Sequence, residues 1–221
     1  MDDLEGSSNL ANVSRDVPVP GARGGFSLLE LVTVIAVLGL MSGVIAPLAS
    51  ATISTARFER AQRDVETLTK VLRSFRSVTG TWPTLSASGN PVGIRMLVTG
   101  TALPPAGTWS ASSTWEANIA AAGDLLSNHL VVNRPGGQVV NRYPTTGDPS
   151  WLGPFLDESP LDPWGRPYVL NVGSATSASG TADQKLWVIS AGADGIFQTS
   201  VQAARSDAAQ GDDVAAVAWM R

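Results

Sequence analysis

One carboxylate stands at the edge of a long uncharged run. Glu30 closes the segment Gly25-Phe26-Ser27-Leu28-Leu29-Glu30, and no ionisable residue follows from Leu31 to Ala56. An ionisable group within a membrane span costs about 3 kcal/mol or more and usually marks a function. Position alone leaves two roles open for Glu30. It can neutralise a cation on a neighbouring chain, or it can snorkel at the interface near the positive end of a helix dipole. The rest of the chain offers little catalytic chemistry. There is no cysteine, so thiol nucleophiles, thiolate metal sites and disulfides are absent together, and His129 is the single histidine. It reads as a packing or surface residue. Asp157 and Glu158 are adjacent carboxylates without an accompanying nucleophile or oxyanion device, and Ser159 and Ser174 have no convincing base. Asp162-Pro163-Trp164-Gly165 has the residue types of a tight turn. These patterns argue against an enzyme.

The element that must carry Glu30 is the apolar run itself. It is about the length needed to cross a hydrocarbon core, for which roughly 20 residues suffice. A removable secretory signal would have a basic start and a shorter apolar core, whereas the residues before this run are polar and acidic on balance. Arg57, Arg60 and Arg63 flank its far end, so charge leaves the orientation undecided. A net charge of -4 with scattered Lys and Arg lacks the basic footprint of a nucleic-acid binder. At 221 residues there is room for one domain beside the membrane segment.

Residues 1–25, with Pro18, Pro20, Gly21, Gly24 and Gly25, read as a leader without helical periodicity. Residues 26–56 form the membrane helix, and 57–80 continue it as an amphipathic helix with Phe58, Ala61, Val65, Leu68, Leu72 and Phe75 in one stripe. Glu59 with Arg63 and Glu66 with Lys70 are spaced as ion pairs on its polar side. Thr79-Gly80 and Trp82-Pro83 predict its end. The whole rod is about 50 residues, roughly 75 Å. Gly39 and Pro47 interrupt its composition, either as ordinary membrane-helix residues or as a weak section able to stretch when subunits pack. Residues 81–221 must cover the amphipathic half. In them Asn118–Val132 reads as a second helix, and Val169–Val172 and Leu186–Ser190 as strands of a small antiparallel sheet. The fold class is α+β.

The motif Gly25-Phe26-Ser27-Leu28-Leu29-Glu30-Leu31 resembles the processing site of type IV prepilins and type II secretion pseudopilins. That resemblance implies cleavage after Gly25 by a prepilin peptidase, methylation of Phe26, and a fifth-position acid at Glu30. Gly39 and Pro47 fall where the family has its helix-weakening glycine and proline. The leader departs from the pattern in having only Arg23 close to the cut. Cleavage would create an ammonium at a helix start in lipid, and Glu30 of a neighbouring copy would neutralise it and set the stagger.

Three further blocks resemble the major, G-type pseudopilin of type II secretion: Leu161-Asp162-Pro163-Trp164-Gly165-Arg166-Pro167-Tyr168, Ser190-Ala191-Gly192-Ala193-Asp194-Gly195, and Gly211-Asp212-Asp213. Thr79-Gly80-Thr81-Trp82-Pro83-Thr84 is similar to the turn that ends its long helix. The resemblance implies the type IV pilin-like fold, a long helix on a small antiparallel sheet, with 81–221 as a periplasmic head and 97–155 as an enlarged variable region. It also implies a structural calcium ion held by Asp194, Asp212 and Asp213 with backbone oxygens near Ser190 and Ala191; the same acids also suit plain turn corners. Ile196–Gln210 is a longer connection than the family pattern. The implied partners are copies of itself in a helical filament, other pseudopilins, the peptidase, membrane lipid before assembly, and an inner-membrane platform with a cytoplasmic ATPase. The implied function is driving protein export across the outer membrane. A type IV pilin or minor pilin in adhesion, motility or DNA uptake shares the amino-terminal half, and a non-polymerising single-pass envelope binding protein is the alternative of another class.

Overall fold

Ser27 starts the first helix by capping it. Its hydroxyl oxygen accepts the Glu30 amide N–H at 3.1 Å, while its carbonyl accepts the Leu31 N–H at 3.1 Å, so two amides of the first turn find partners. The computed structural model describes residues 25–109, 113–175, 185–201 and 207–220, and in it this helix, α1, is Leu28–Thr79. The predicted leader, apart from Gly25, lies outside the described residues. The helix ends where expected: Gly80 takes a φ of +71° and donates its N–H to the Arg76 carbonyl at 2.9 Å, a left-handed stop that glycine adopts without a Cβ penalty.

The chain divides into two units, Met1–Leu48 and Ala49–Arg221. In the first, residues 25–43 are exposed throughout, Phe26 at 83% and Leu28 at 80%. The second unit contains the core. The predicted stripe of α1 is buried there, with Ala61, Val65, Leu68, Leu72 and Phe75 all inside and Phe58 at its margin. Of the predicted ion pairs on the opposite side, neither Glu59–Arg63 nor Glu66–Lys70 forms among the described residues. Arg60 pairs with Asp64 instead, and Glu66 accepts a bond from Gln62. Exposed pairs of this kind gain so little that competing partners decide the outcome.

Five strands make one sheet in the order β2-β1-β3-β4-β5, where β1 is Met96–Val98, β2 Gly123–Leu125, β3 Val169–Asn171, β4 Lys185–Ser190 and β5 Val214–Met220. The sheet is mixed, which corrects the antiparallel expectation. β1 and β2 run parallel, with Leu97 opposite Asp124, and the remaining pairs are antiparallel. A parallel pair needs a long crossover, and residues 99–122 supply it, including helix α2, Ser113–Ala122. The predicted single helix over Asn118–Val132 is therefore wrong in its middle. It is α2, then β2, then the short helix α3, Leu126–Leu130. Main-chain pairing with β1 outweighs the local apolar periodicity at Gly123–Leu125.

Alternate residues of the strands face opposite ways, and both faces are covered. Leu97, Leu170, Leu186 and Val188 join the α1 stripe in one core. Met96, Val98, Val169 and Ile189 join Trp109, Trp115, Ile119, Phe197 and Val201 in a second. The enlarged region 97–155 thus supplies much of a third layer. At the sheet edge, Arg73 of α1 donates from Nε to the Ala218 carbonyl and from Nη2 to that of Val217, each at 2.9 Å, so part of the β5 edge is occupied by the protein's own guanidinium.

Candidate assembly and ion-binding sites

The α1 segment from Leu28 presents Leu29, Leu31, Val32, Ile35, Leu38 and Leu40 to solvent, each at least half exposed. Its most apolar stretch is long and apolar enough to cross a membrane, and none of it is buried within the chain. Glu30 is exposed at the start of this surface, in the first turn of the helix, where the dipole favours an anion. Gly39 and Pro47 both lie within α1, which continues through them. Among the described residues no cationic group pairs with Glu30.

The second candidate site is built from three turns of the head. Asp162 is almost fully buried; its Oδ1 accepts the amides of Trp164 at 3.0 Å and Arg166 at 2.8 Å, and its Oδ2 accepts the Ser190 hydroxyl at 2.7 Å. This is the structural turn expected of Asp162-Pro163-Trp164-Gly165, with Trp164 packed edge-on to Phe58 at 5.2 Å. Arg166 then reaches the carbonyls of Gly192 and Ala193, and the Ala191 carbonyl accepts the Gly195 N–H at 3.1 Å. Asp162→Asn is expected to cost about 1–2 kcal/mol, because it replaces charge-assisted bonds by neutral ones. Thermal unfolding should show a Tm lower by about 3–6 °C; an unchanged Tm would remove Asp162 from this role.

Ser190–Thr199 and Gly211–Asp213 face each other. Asp212 Oδ2 accepts the amides of Ala193 at 2.6 Å and Asp194 at 3.0 Å. A Cβ at Gly192, whose φ is +60°, would fall 2.1 Å from the Asp212 carbonyl oxygen, so only glycine permits this approach. Asp194 spends its carboxylate inside the loop, on the Ile196 N–H and the Gln198 side-chain amide. Asp213 Oδ2 accepts the Thr199 N–H at 2.7 Å. Burial raises the Asp213 pKa, hydrogen bonds from Thr199 and Gln198 oppose this, and Asp212 beside it adds to the rise. The structure thus brings Asp194, Asp212 and Ala191 into one loop cluster with Asp213 at its inner side. No group of three acidic or histidine side chains placed to hold a metal occurs among the described residues.

What remains is oxygen without hydrogen. Asp212 Oδ1, Asp213 Oδ1 and Gln198 Oε1 are buried and have no hydrogen-bond partner. Gln198 lies against the Gly211 backbone, where a Cβ would sit 2.7 Å from its Oε1. Buried acceptors left unpaired are costly, and calcium takes carboxylate, amide and backbone oxygens alike. These are oxygens of the kinds calcium takes: two of the three predicted carboxylates offer one, and so does a neutral side chain that the sequence did not predict.

Residues 133–207 match the family model of type II secretion system (T2SS), protein G. The match holds the Asp162 turn, β3, β4 and the loop through Asp194, Gln198 and Thr199, and it stops before Asp212 and Asp213. The protein G family is a structural, pseudopilin family of type II secretion, not an enzyme family, and its members assemble with other pseudopilins. Together with the apolar helix, the protein G match points to a membrane-anchored envelope protein. No curated protein and no solved structure matches the chain.

Partly outside the protein G match is a polar core that the sequence did not reveal. His129 is fully buried, with Nδ1 2.7 Å from the Tyr143 hydroxyl and Nε2 2.9 Å from Asp124 Oδ2. Burial alone would raise the Asp124 pKa, but bonds from His129, the Gly136 amide and Asn128 hold it below the usual carboxylate value. Tyr143 packs edge-on to Phe75 of α1 at 5.1 Å. His129 is therefore a packing residue, as expected, with a polar duty added: it ties α3 and β2 to the segment that follows. A lone histidine in sequence carries no sign of such partners.

Proposed function

We propose that this chain is a pseudopilin subunit of a type II secretion system, held in the inner membrane by residues 26–56 with its head, residues 81–221, in the periplasm. A prepilin peptidase removes residues 1–25 and methylates Phe26. The released subunits stack into a short helical filament with other pseudopilins, on a platform driven by a cytoplasmic ATPase, and growth of the filament moves proteins through the outer membrane. The observation that carries this reading is the pairing of a protein G match in the head with an apolar helix whose surface the described residues leave uncovered. Burying that surface against copies gains roughly 25 cal/mol per Å2 only if its one carboxylate is also matched. Residues 57–80 carry the head on the same helix, so the head coats the filament.

Calcium belongs to the same proposal. Asp212, Asp213 and Gln198 would hold it through their unpaired oxygens, with Asp194 and backbone oxygens near Ala191 completing the shell. It would serve as a staple in a cysteine-free head. Processing has a direct test. Mass spectrometry of the protein purified from its own membrane is expected to give a chain starting at methylated Phe26; a chain retaining residues 1–25 would end the proposal.

A further inference from the structure

The longer connection after Ile196 does not stand by itself. Phe197 is buried between two tryptophans of the enlarged region, stacked on Trp115 at 4.7 Å between ring centres and tilted against Trp109 at 5.3 Å. Trp115 lies in α2, and its indole N–H donates to the Thr199 carbonyl at 2.8 Å in a buried bond. Thr199 in turn is fixed at each polar group. Its amide N–H donates to Asp213 Oδ2 at 2.7 Å and its hydroxyl oxygen accepts the Gln210 N–H at 3.0 Å. Gln198, between Phe197 and Thr199, owns one of the unpaired buried oxygens.

We propose that Trp115 is a positioning residue for the ion-binding loop: through Phe197 and the Thr199 carbonyl, helix α2 sets where Gln198 and Asp213 present their oxygens. The inference rests on the reading that this loop binds calcium. Calcium needs several oxygens at once and within a narrow distance. Side chains that serve together as ligands gain from being held in place beforehand, and preorganisation of this kind appears as affinity. The enlarged region thereby gains a function beyond covering the sheet. Coupling between sites is reciprocal, so the ion must also order α2. The wall of the apolar groove lined by Leu103, Pro105, Trp109 and Ile119 shares that aromatic contact.

The test uses the full chain in detergent micelles and calcium chloride as the probe. Trp115→Phe keeps one aromatic ring for Phe197 while removing the indole donor and part of the indole's volume, and it is expected to weaken calcium binding in titration calorimetry about fivefold. Trp151→Phe is the matched control, since it removes an indole bond to the His129 carbonyl away from the loop, and it should leave the affinity unchanged. In hydrogen exchange, calcium should add protection to the amides of α2 in the wild type and much less in Trp115→Phe. Wild-type affinity in Trp115→Phe, or α2 amides indifferent to calcium, overturns the brace and leaves the calcium reading standing. A wild type that binds no calcium overturns both. If Trp115→Phe fails to fold, wild-type exchange decides: protection of α2 on adding calcium supports the brace, and its absence refutes it.

Discussion

Glu30→Ala is expected to leave the protein inserted in the membrane and absent from filaments. Removing the peptide before Phe26 would place an ammonium at a helix start in an apolar surround. Breaking a buried ion pair by deleting one partner costs about 3–5 kcal/mol, and the cost recurs at every subunit added. At 1.4 kcal/mol per decade, the addition equilibrium falls by about 100-fold or more, which abolishes a polymer built by repeated weak steps. Membrane insertion asks only for the apolar run from Leu31, which the substitution leaves intact. Glu30→Gln should fail almost as completely, because an amide hydrogen-bonds but does not neutralise. Glu30→Asp should retain part of the activity. Fractionation and crosslinking of full-length variants in the complete secretion machinery would read this out. Normal filaments from Glu30→Ala would refute the pairing and favour a carboxylate that merely snorkels.

The helical half of this protein was legible because its signals are local. A stripe repeating every three or four residues buried as expected from Ala61 to Phe75, and Thr79-Gly80 stopped the helix where it stood. β3 and β4 were also visible, as short runs of Val, Leu, Ile and Trp. β5 was not. Val214–Met220 contains three alanines among its seven residues, a composition without strand preference, and only pairing to β4 makes it extended. The parallel β1–β2 pair was equally hidden, since three-residue strands carry too little pattern to distinguish from a helix margin.

The candidate sites divide in the same manner. Glu30 announces itself by being the one acid beside an uncharged run, and the Asp-Gly and Gly-Asp-Asp corners announce turns. Gln198, Thr199 and Trp115 give no such notice. They matter because segments distant in sequence bring Gln198 against the Gly211 backbone, next to Asp212 in the chain, and the Trp115 indole to the Thr199 carbonyl. Neutral ligands and positioning residues have no composition of their own. The enlarged region 97–155 was legible only as extra length, whereas in the fold its Trp109 and Trp115 cover the second face of the sheet and its Tyr143 joins the core on the first.

Chelating calcium from the full-length protein is expected to lower the unfolding temperature of the head by about 5–16 °C. An ion at a hundred to a thousand times its Kd stabilises the fold by about 2.7–4.1 kcal/mol, and a domain of this size shifts by roughly 2–4 °C per kcal/mol. The acid-base behaviour of Asp213 sharpens the expectation. Without the ion its folded pKa lies above the ordinary value of 3.8, mainly through burial. Its protonated form therefore favours the fold below that value, and this contribution is lost as pH rises through the raised pKa. The ion-free head at neutral pH carries the loss, and calcium, by favouring the carboxylate, offsets it. The calcium-dependent difference in Tm should consequently shrink on acidification through the Asp213 range. Asp213→Asn keeps an acceptor for the Thr199 amide while removing the charge. It should make the ion-free head slightly more stable than the wild type at neutral pH and abolish most of the gain from calcium. A chelator that leaves the wild-type Tm unchanged, in a head that also unfolds identically as Asp213→Asn, would mean that the three unpaired oxygens hold no ion and that the loop is closed by its own hydrogen bonds.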